Sequence, residues 1–232
     1  MEKEDFREIS YEEELQRAKW FKEDLEKGGW SEGLHTPGVS TFWFKTFPDM
    51  EVPIKALFTM EIPVPAEKVV EILAPANVKY QREWNAAFPV NELIENYIEQ
   101  EGGGSLLYTV LKLSWPLTNR AYLVFIPPSK EVDWYGKKAF LLLQKNAWHH
   151  SKPPGADGFV RATNGGNFSL VIPDEENPSG ACKMFMLRNN NYNGCLPNKG
   201  IQFLIAKTLP PKFNLWREGI IDAYKRFFRE KI

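Results

Sequence analysis

The sequence predicts an α+β fold in which a curved antiparallel sheet grips a long C-terminal helix. Three observations carry this expectation. About six successive strand-like stretches between Val90 and Arg188 lack helical crossovers, and strands joined that way pair antiparallel. The last segment, Asn198 to Phe228, repeats apolar residues at helical spacing. That helix must bury its apolar stripe, and the sheet is the only large partner available.

Each element has a local reason. Ser10 can cap a first helix, with Glu13 completing a capping box. Tyr11, Leu15, Ala18, Phe21 and Leu25 follow at helical spacing, and Gly28-Gly29 ends the run. Strands are expected over Thr41–Phe47 and Ile54–Ile62, joined by a Pro-Asp turn. Pro65 opens a short helix, because the first helical position needs no N–H donor; Val69, Val70, Ile72 and Leu73 form its apolar face. Pro75 stops it, and a second short helix is expected from Val78 to Trp84. Val90–Glu99 and Leu106–Leu113 flank a turn at Glu101-Gly102-Gly103-Gly104. Strands follow at Arg120–Ile126, Lys138–Trp148, Gly158–Ile172 and Cys182–Arg188; the third is interrupted at Gly165-Gly166, which suggests a bulge or a close backbone approach. Ile201, Leu204, Ile205, Phe213, Trp216, Ile220, Tyr224 and Phe227 make the stripe of the last helix, which Pro210-Pro211 should kink or restart.

Composition narrows the function. The 232 residues carry 29 Lys plus Arg against 30 Asp plus Glu, a balance that does not suit a general nucleic-acid binder. The 32 aromatics suit either a wide core or a ligand cavity. Cys182 and Cys195 cannot build a disulfide framework, and without a CxxC pair they do not make a thiolate zinc site. The N-terminus has no signal-peptide pattern and no run approaches the ~18 apolar residues of a membrane span, so a soluble protein of a reducing compartment is expected. Of the histidines, only His149 and His150 are adjacent, and the Ser-Lys-Pro-Pro that follows reads as a solvated loop. No nucleophile, metal or phosphate-loop motif is present, so no catalytic residue, metal or cofactor is expected. Charge is uneven: residues 1–30 sum to −4 and residues 199–232 to +5. A basic amphipathic helix with Phe, Trp and Leu can dock on an anionic membrane, or it can be the solvated face of a core helix. A lid would be both.

Three stretches stand out: Pro65 to Val69 through Gln81-Arg82-Glu83-Trp84-Asn85; Ser114-Trp115-Pro116-Leu117-Thr118-Asn119-Arg120-Ala121-Tyr122; and Gly194 to Phe213, with Leu196-Pro197 and Ala206-Lys207-Thr208-Leu209-Pro210. Together, in this order, they resemble the START lipid-transfer family, in the subgroup around phosphatidylcholine transfer protein. The resemblance implies a helix-grip fold: one domain over residues 1–232, a helix and linker in 1–35, and a lid helix in 198–230 over a hydrophobic tunnel. It also implies non-enzymatic binding and transfer of one lipid, a phospholipid by subgroup. The partners it implies are the lipid and a transient, anionic membrane surface, for a cytoplasmic monomer peripheral to membranes and without affinity for nucleic acid. A sterol, carotenoid or other apolar ligand, a lipid-sensing module recruited to membranes, and an enzyme using the same cavity are the alternatives.

By resemblance, ligand contacts fall on Gln81, Trp84, Asn85, Leu107, Thr109, Leu111, Tyr122, Val124 and Asn167, and the C-terminal helix covers the cavity; its charge of +5 and its Pro210-Pro211 break make it the gate, at Lys212, Phe213, Trp216, Arg217 and Lys225. The subgroup's phosphate-binding Arg and its partner Asp fall on Gln81 and Asn85, and its three-ring choline cage on Thr109, Tyr122 and Gly165. A quaternary ammonium needs several aromatic faces, so a neutral or modestly polar head is expected instead. The signature's Asp is replaced by Ala121, which removes a pairing for Arg120. A loop near Asp133-Trp134-Tyr135 is the second candidate membrane contact.

Overall fold

Ser10 does cap the first helix: its hydroxyl accepts from the Glu13 N–H in α1, Tyr11–Glu26. The computed structural model describes residues 8–78, 88–97, 103–113, 117–194 and 198–228. After α1 come β1 Ser31–Thr36, β2 Ser40–Thr46, β3 Ile54–Ile62, α2 Ala66–Leu73, β4 Val90–Asn96, β5 Ser105–Leu111, β6 Arg120–Ile126, β7 Lys130–Trp134 and β8 Lys137–Asn146. Then follow β9 Val160–Arg161, β10 Thr163–Asn164, β11 Asn167–Pro173, β12 Cys182–Arg188, β13 Asn190–Asn191, α3 Asn198–Phe203 and α4 Leu209–Ala223. The second short helix expected from Val78 to Trp84 lies almost wholly outside the described residues, as do Ser114-Trp115-Pro116 and Leu196-Pro197.

The main sheet runs β1-β2-β3-β12-β11-β8-β6-β5-β4, with β7 added to β8 and β9 to β6; β10 and β13 form a separate pair. Every neighbouring pair on the main path is antiparallel, as the missing crossovers required. β8 is the strand where the sheet changes direction. Phe140–Gln144 pair with β11, but only Lys145 and Asn146 pair with β6. Two well-paired halves are thus joined at a short seam, and the sheet curves around the space between them.

The strands are buried on both faces, and alternation sorts their side chains. On β12, Met184 and Met186 belong to the inner cluster, while Phe185 and Leu187 belong to an outer one with Ala18 and Phe21 of α1. On β5 and β6, Leu107, Leu111, Tyr122 and Val124 face inward, while Leu106, Tyr108, Val110, Leu123 and Phe125 face outward. The N-terminal helix therefore covers the outer face of the sheet and the C-terminal helix the inner face. The β7–β8 turn packs on α1 as well: Trp134 is buried, and the Tyr135 hydroxyl lies 3.4 Å from the Lys19 carbonyl.

Pro210-Pro211 restart the terminal helix. They sit in the first turn of α4, where their missing N–H groups cost no ladder bond, and the chain reaches them through a π-type turn, Leu204–Thr208. A second such turn, Tyr224–Phe228, ends the described chain.

Candidate functional site

The inner face of the sheet does not close on α4; a cavity lies between them. It encloses about 170 Å³ and opens to solvent. β5 and β6 contribute Leu107, Thr109, Leu111, Tyr122, Val124 and Ile126; α4 contributes Leu209, Phe213 and Trp216; α2 contributes Leu73. These walls are apolar because the inward positions of alternating strands meet the apolar stripe of a helix. Where β8, β10, β11, β12 and β13 converge the lining turns polar, with Gln144, Asn164, Asn167, Ser169, Arg188 and Asn190.

The expected ligand residues thus divide. Leu107, Thr109, Leu111, Tyr122, Val124 and Asn167 all line the cavity. Gln81, Trp84 and Asn85 lie outside the described residues. Asn167 is already engaged: its side chain donates to Asn190 Oδ1 at 2.9 Å and accepts the Asn189 N–H at 2.8 Å. It frames the polar end as much as it faces it. Gly165 cannot serve a cage, because a Cβ there would lie 2.5 Å from Asn189 Nδ2. The Asn189 side chain donates to the Gly165 carbonyl at 2.6 Å, the close backbone approach suggested by Gly165-Gly166.

Sequence reasoning missed Arg188. It is the only charged residue among the described lining residues. Its guanidinium meets only neutral acceptors, at the long end of the hydrogen-bond range: the Leu187 carbonyl at 3.2 Å, the Phe168 carbonyl and Ser169 hydroxyl at 3.4 Å. It also stacks 5.4 Å above the Phe213 ring of α4. Desolvation pushes it down to about 10, so it stays charged at neutral pH. The signal was available: Met184, Met186 and Arg188 alternate on one face, and a cation on an otherwise apolar face asks for an explanation. Arg120, by contrast, is structural. Without the Asp of the signature, its guanidinium is held by the carbonyls of Tyr192 (2.6 Å), Asn193 (3.3 Å) and Thr118.

Burial raises the Tyr122 hydroxyl well above its ordinary value and pushes Tyr192 up to about 12, so both remain protonated donors. Among the described residues the Tyr122 hydroxyl has no hydrogen-bond partner. No group of three His, Cys, Asp or Glu side chains converges among the described residues. His149 lies in a turn, bonded to the Ser151 hydroxyl at 2.7 Å.

The gate residues divide too. Phe213 and Trp216 form the cavity's ceiling, not an outer face. Arg217 is not available to a membrane: it is 9% exposed, its Nε donates to the Glu61 carbonyl and its Nη1 pairs with Glu218. Helical periodicity explains this correction, since 213, 216, 217 and 220 share the inward face of α4. Lys212 is half-buried and pushed down by burial and then by Lys112; Lys225 is exposed. The outward ridge is Phe203, Lys207, Pro211 and Leu215, all exposed, with Phe203 at 66% and Leu215 at 64%. Beyond Arg217, α4 is held to the β1–β2 edge through Asn214, which accepts from the Ser40 hydroxyl at 2.6 Å.

A family model for the START domain matches residues 11–222. Solved structures of similar fold include human STARD10 (TM-score 0.66, 19% identity, 90% of this chain and 80% of that one) and human StAR-related lipid transfer protein 5 (0.67, 14%, 91% and 96%). The lipid transfer and protein localization domain of human StarD13 is a third (0.64, 18%, 92% and 98%). No curated protein matches the chain in sequence. With the matched segment running from α1 to the end of α4, this chain belongs to the START domain family.

Proposed function

We propose that this protein binds one lipid in its cavity and carries it between membranes without chemical change, and that the lipid is a phospholipid. The observation that carries the reading is the cavity itself: largely apolar walls, aliphatic and aromatic, with a polar, cationic corner, under an amphipathic helix. A lipid crossing water exposes acyl CH₂ groups at ~0.8 kcal/mol each, so a carrier must surround the chains, and these walls suit that task. Two of the similar structures are named for lipid transfer, in agreement with the reading. A phospholipid accounts for the polar end as well as the walls, which a purely apolar carotenoid or hydrocarbon does not.

The helix α4 is the gate in this reading. Its inner face touches the ligand through Phe213 and Trp216, while Leu215 on its outer side and Phe203 at the end of α3 face the acyl region, and Lys207 and Lys225 in the flanking turns face anionic headgroups. The π-type turn before Pro210 interrupts the regular helical ladder at the entrance to α4, which is where a hinge would fall.

The test is mass spectrometry of protein taken from its native tissue under non-denaturing conditions, paired with vesicle-to-vesicle transfer of a labelled phospholipid. One phospholipid per chain and protein-dependent transfer support the reading. An empty cavity and no transfer reject it, and a bound sterol rejects the phospholipid assignment alone.

A further inference from the structure

We infer that the ligand presents an anionic oxygen group, phosphate or carboxylate, to Arg188, with Tyr122 and Asn164 as accompanying donors. The inference deepens the lipid-binding reading and rests on it. Its ground is a surplus of donors facing the cavity. Among the described residues, three buried side-chain polar atoms lack a partner: the Tyr122 hydroxyl, Asn164 Nδ2 and Arg161 Nε. The first two belong to residues that line this cavity, as does Arg188. Tyr122 can donate a proton, and Asn164 Nδ2 can only donate. Arg188 adds a charged fork whose bonds are all to neutral acceptors, three of them 3.2–3.4 Å long and a fourth to the Met186 sulfur at 3.6 Å.

These groups belong to one corner. Asn164 pairs in register with Asn190, two residues beyond Arg188. Tyr192 feels the charges of both Arg188 and Arg120, and Tyr122 feels Tyr192 and Arg120. Among the described residues no carboxylate lines the cavity, and none is hydrogen-bonded or ion-paired to Arg188. A buried orphan donor is costly, and native proteins leave few of them unexplained. A neutral alcohol could take one of these bonds, but it would leave the guanidinium without a counter-charge. A phosphate or carboxylate brings several acceptors and the missing charge together, in the planar geometry that arginine matches.

The test compares uptake of three probes: dioleoyl phosphatidylcholine, oleate, and dioleoylglycerol as the neutral control with the same chains. Arg188→Gln should weaken an anion-bearing probe by about tenfold or more, as loss of a charge-assisted bond does, while dioleoylglycerol changes by less than about threefold. Arg188→Lys should recover part of the loss. Dependence seen with the phospholipid assigns a phosphate. Dependence seen with oleate alone assigns a carboxylate, upholding the inference while setting aside the phospholipid class. Should Arg188→Gln fail to fold, Tyr122→Phe is read instead. It removes an unpaired hydroxyl without creating a new orphan, and should weaken the anionic probe by about threefold relative to the neutral one. Parent-level affinity for both anionic probes in the variant that is read overturns the inference and leaves lipid binding standing. A parent that takes up none of the three probes defeats the lipid-binding reading itself, and this inference with it.

Discussion

Leu111→Trp distinguishes a compartment that fills and empties from a core that only looks loose. Leu111 is 5% exposed on β5 and lines the cavity. In a close-packed core, forcing in a side chain of this size costs about 1–3 kcal/mol through strained rotamers and backbone shifts. Over a void the sign reverses. Roughly 50 Å² of additional apolar surface leaves water, which at ~25 cal/mol per Å² contributes about 1 kcal/mol. The indole N–H can reach for acceptors among the polar lining rather than stay an orphan. The lipid-free variant should therefore unfold within about 1 kcal/mol of the parent, far from the cost of overpacking. Lipid should stabilise the parent by about 2.7 kcal/mol at a hundredfold excess over Kd, and the variant not at all, because the ring occupies the lipid's space. Urea unfolding of both proteins, with and without phospholipid, reads all four numbers. A lipid-free loss above about 3 kcal/mol, or an undiminished lipid-dependent gain, would refute the reasoning.

Other expectations follow from the same coordinates. Transfer should quicken with the anionic fraction of the vesicles and slow with salt. The pair Lys207→Glu and Lys225→Glu, both exposed, should flatten that dependence, at about 1 kcal/mol per residue, with loading unchanged; a parent indifferent to vesicle charge rejects the gate. Gly165→Ala should cost about 2–4 kcal/mol, since its Cβ would displace Asn189 and with it the bond to the Gly165 carbonyl and the buried Lys55 contact at 2.6 Å; a loss below 1 kcal/mol, read from urea midpoints, would show that Asn189 moves freely. Lys55 is pushed down to about 8 by burial first and by Arg17 second. The unfolded chain therefore holds the extra proton between that value and its ordinary 10.5, and stability from this group rises with pH across that window. Parent stability measured against Lys55→Met should improve between about pH 7 and pH 10; a constant difference would mean the ammonium is not buried as charge.

The sequence revealed those elements whose own residues decide them. Ser10, Pro65 and the apolar alternation of β3, β6 and β12 placed their elements to within a residue or two. β1 and β7 were not legible: Ser31–Thr36 and Lys130–Trp134 hold few apolar residues and become strands only by pairing with β2 and β8. Pro210-Pro211 were legible as an irregularity but not as its form, because a π-type turn depends on how α3 and α4 must sit on the sheet. The site was half legible. Alternation identified Leu107, Leu111, Tyr122 and Val124 as one face, and they share the cavity. Alternation with Met184 and Met186 put Arg188 on the inner face, but which residues it meets there, and the arrival of Asn164, depend on long-range pairing, β12 with β3 and β10 with β13, which local pattern does not encode. Arg217 was not legible as a buried residue, because net charge along a helix does not tell which face each residue takes.

The placement of the aromatic rings has a consequence for the empty state. Among the described residues, a cluster of rings lies on the outer side of the sheet, where Trp20, Phe21, Trp30 and Phe47 meet and Phe185 and Trp134 continue it. The cavity is lined by eight aliphatic side chains and a separate set of rings, Tyr122, Tyr192, Phe213 and Trp216 among them, with Phe168 reaching both. Removing a ligand leaves that outer layer, with its large buried areas, untouched. The part of the molecule that keeps the chain folded is thus set apart from the part that is occupied and vacated. A protein arranged this way can lose its contents, and loosen α4 locally, at a fraction of its global unfolding free energy.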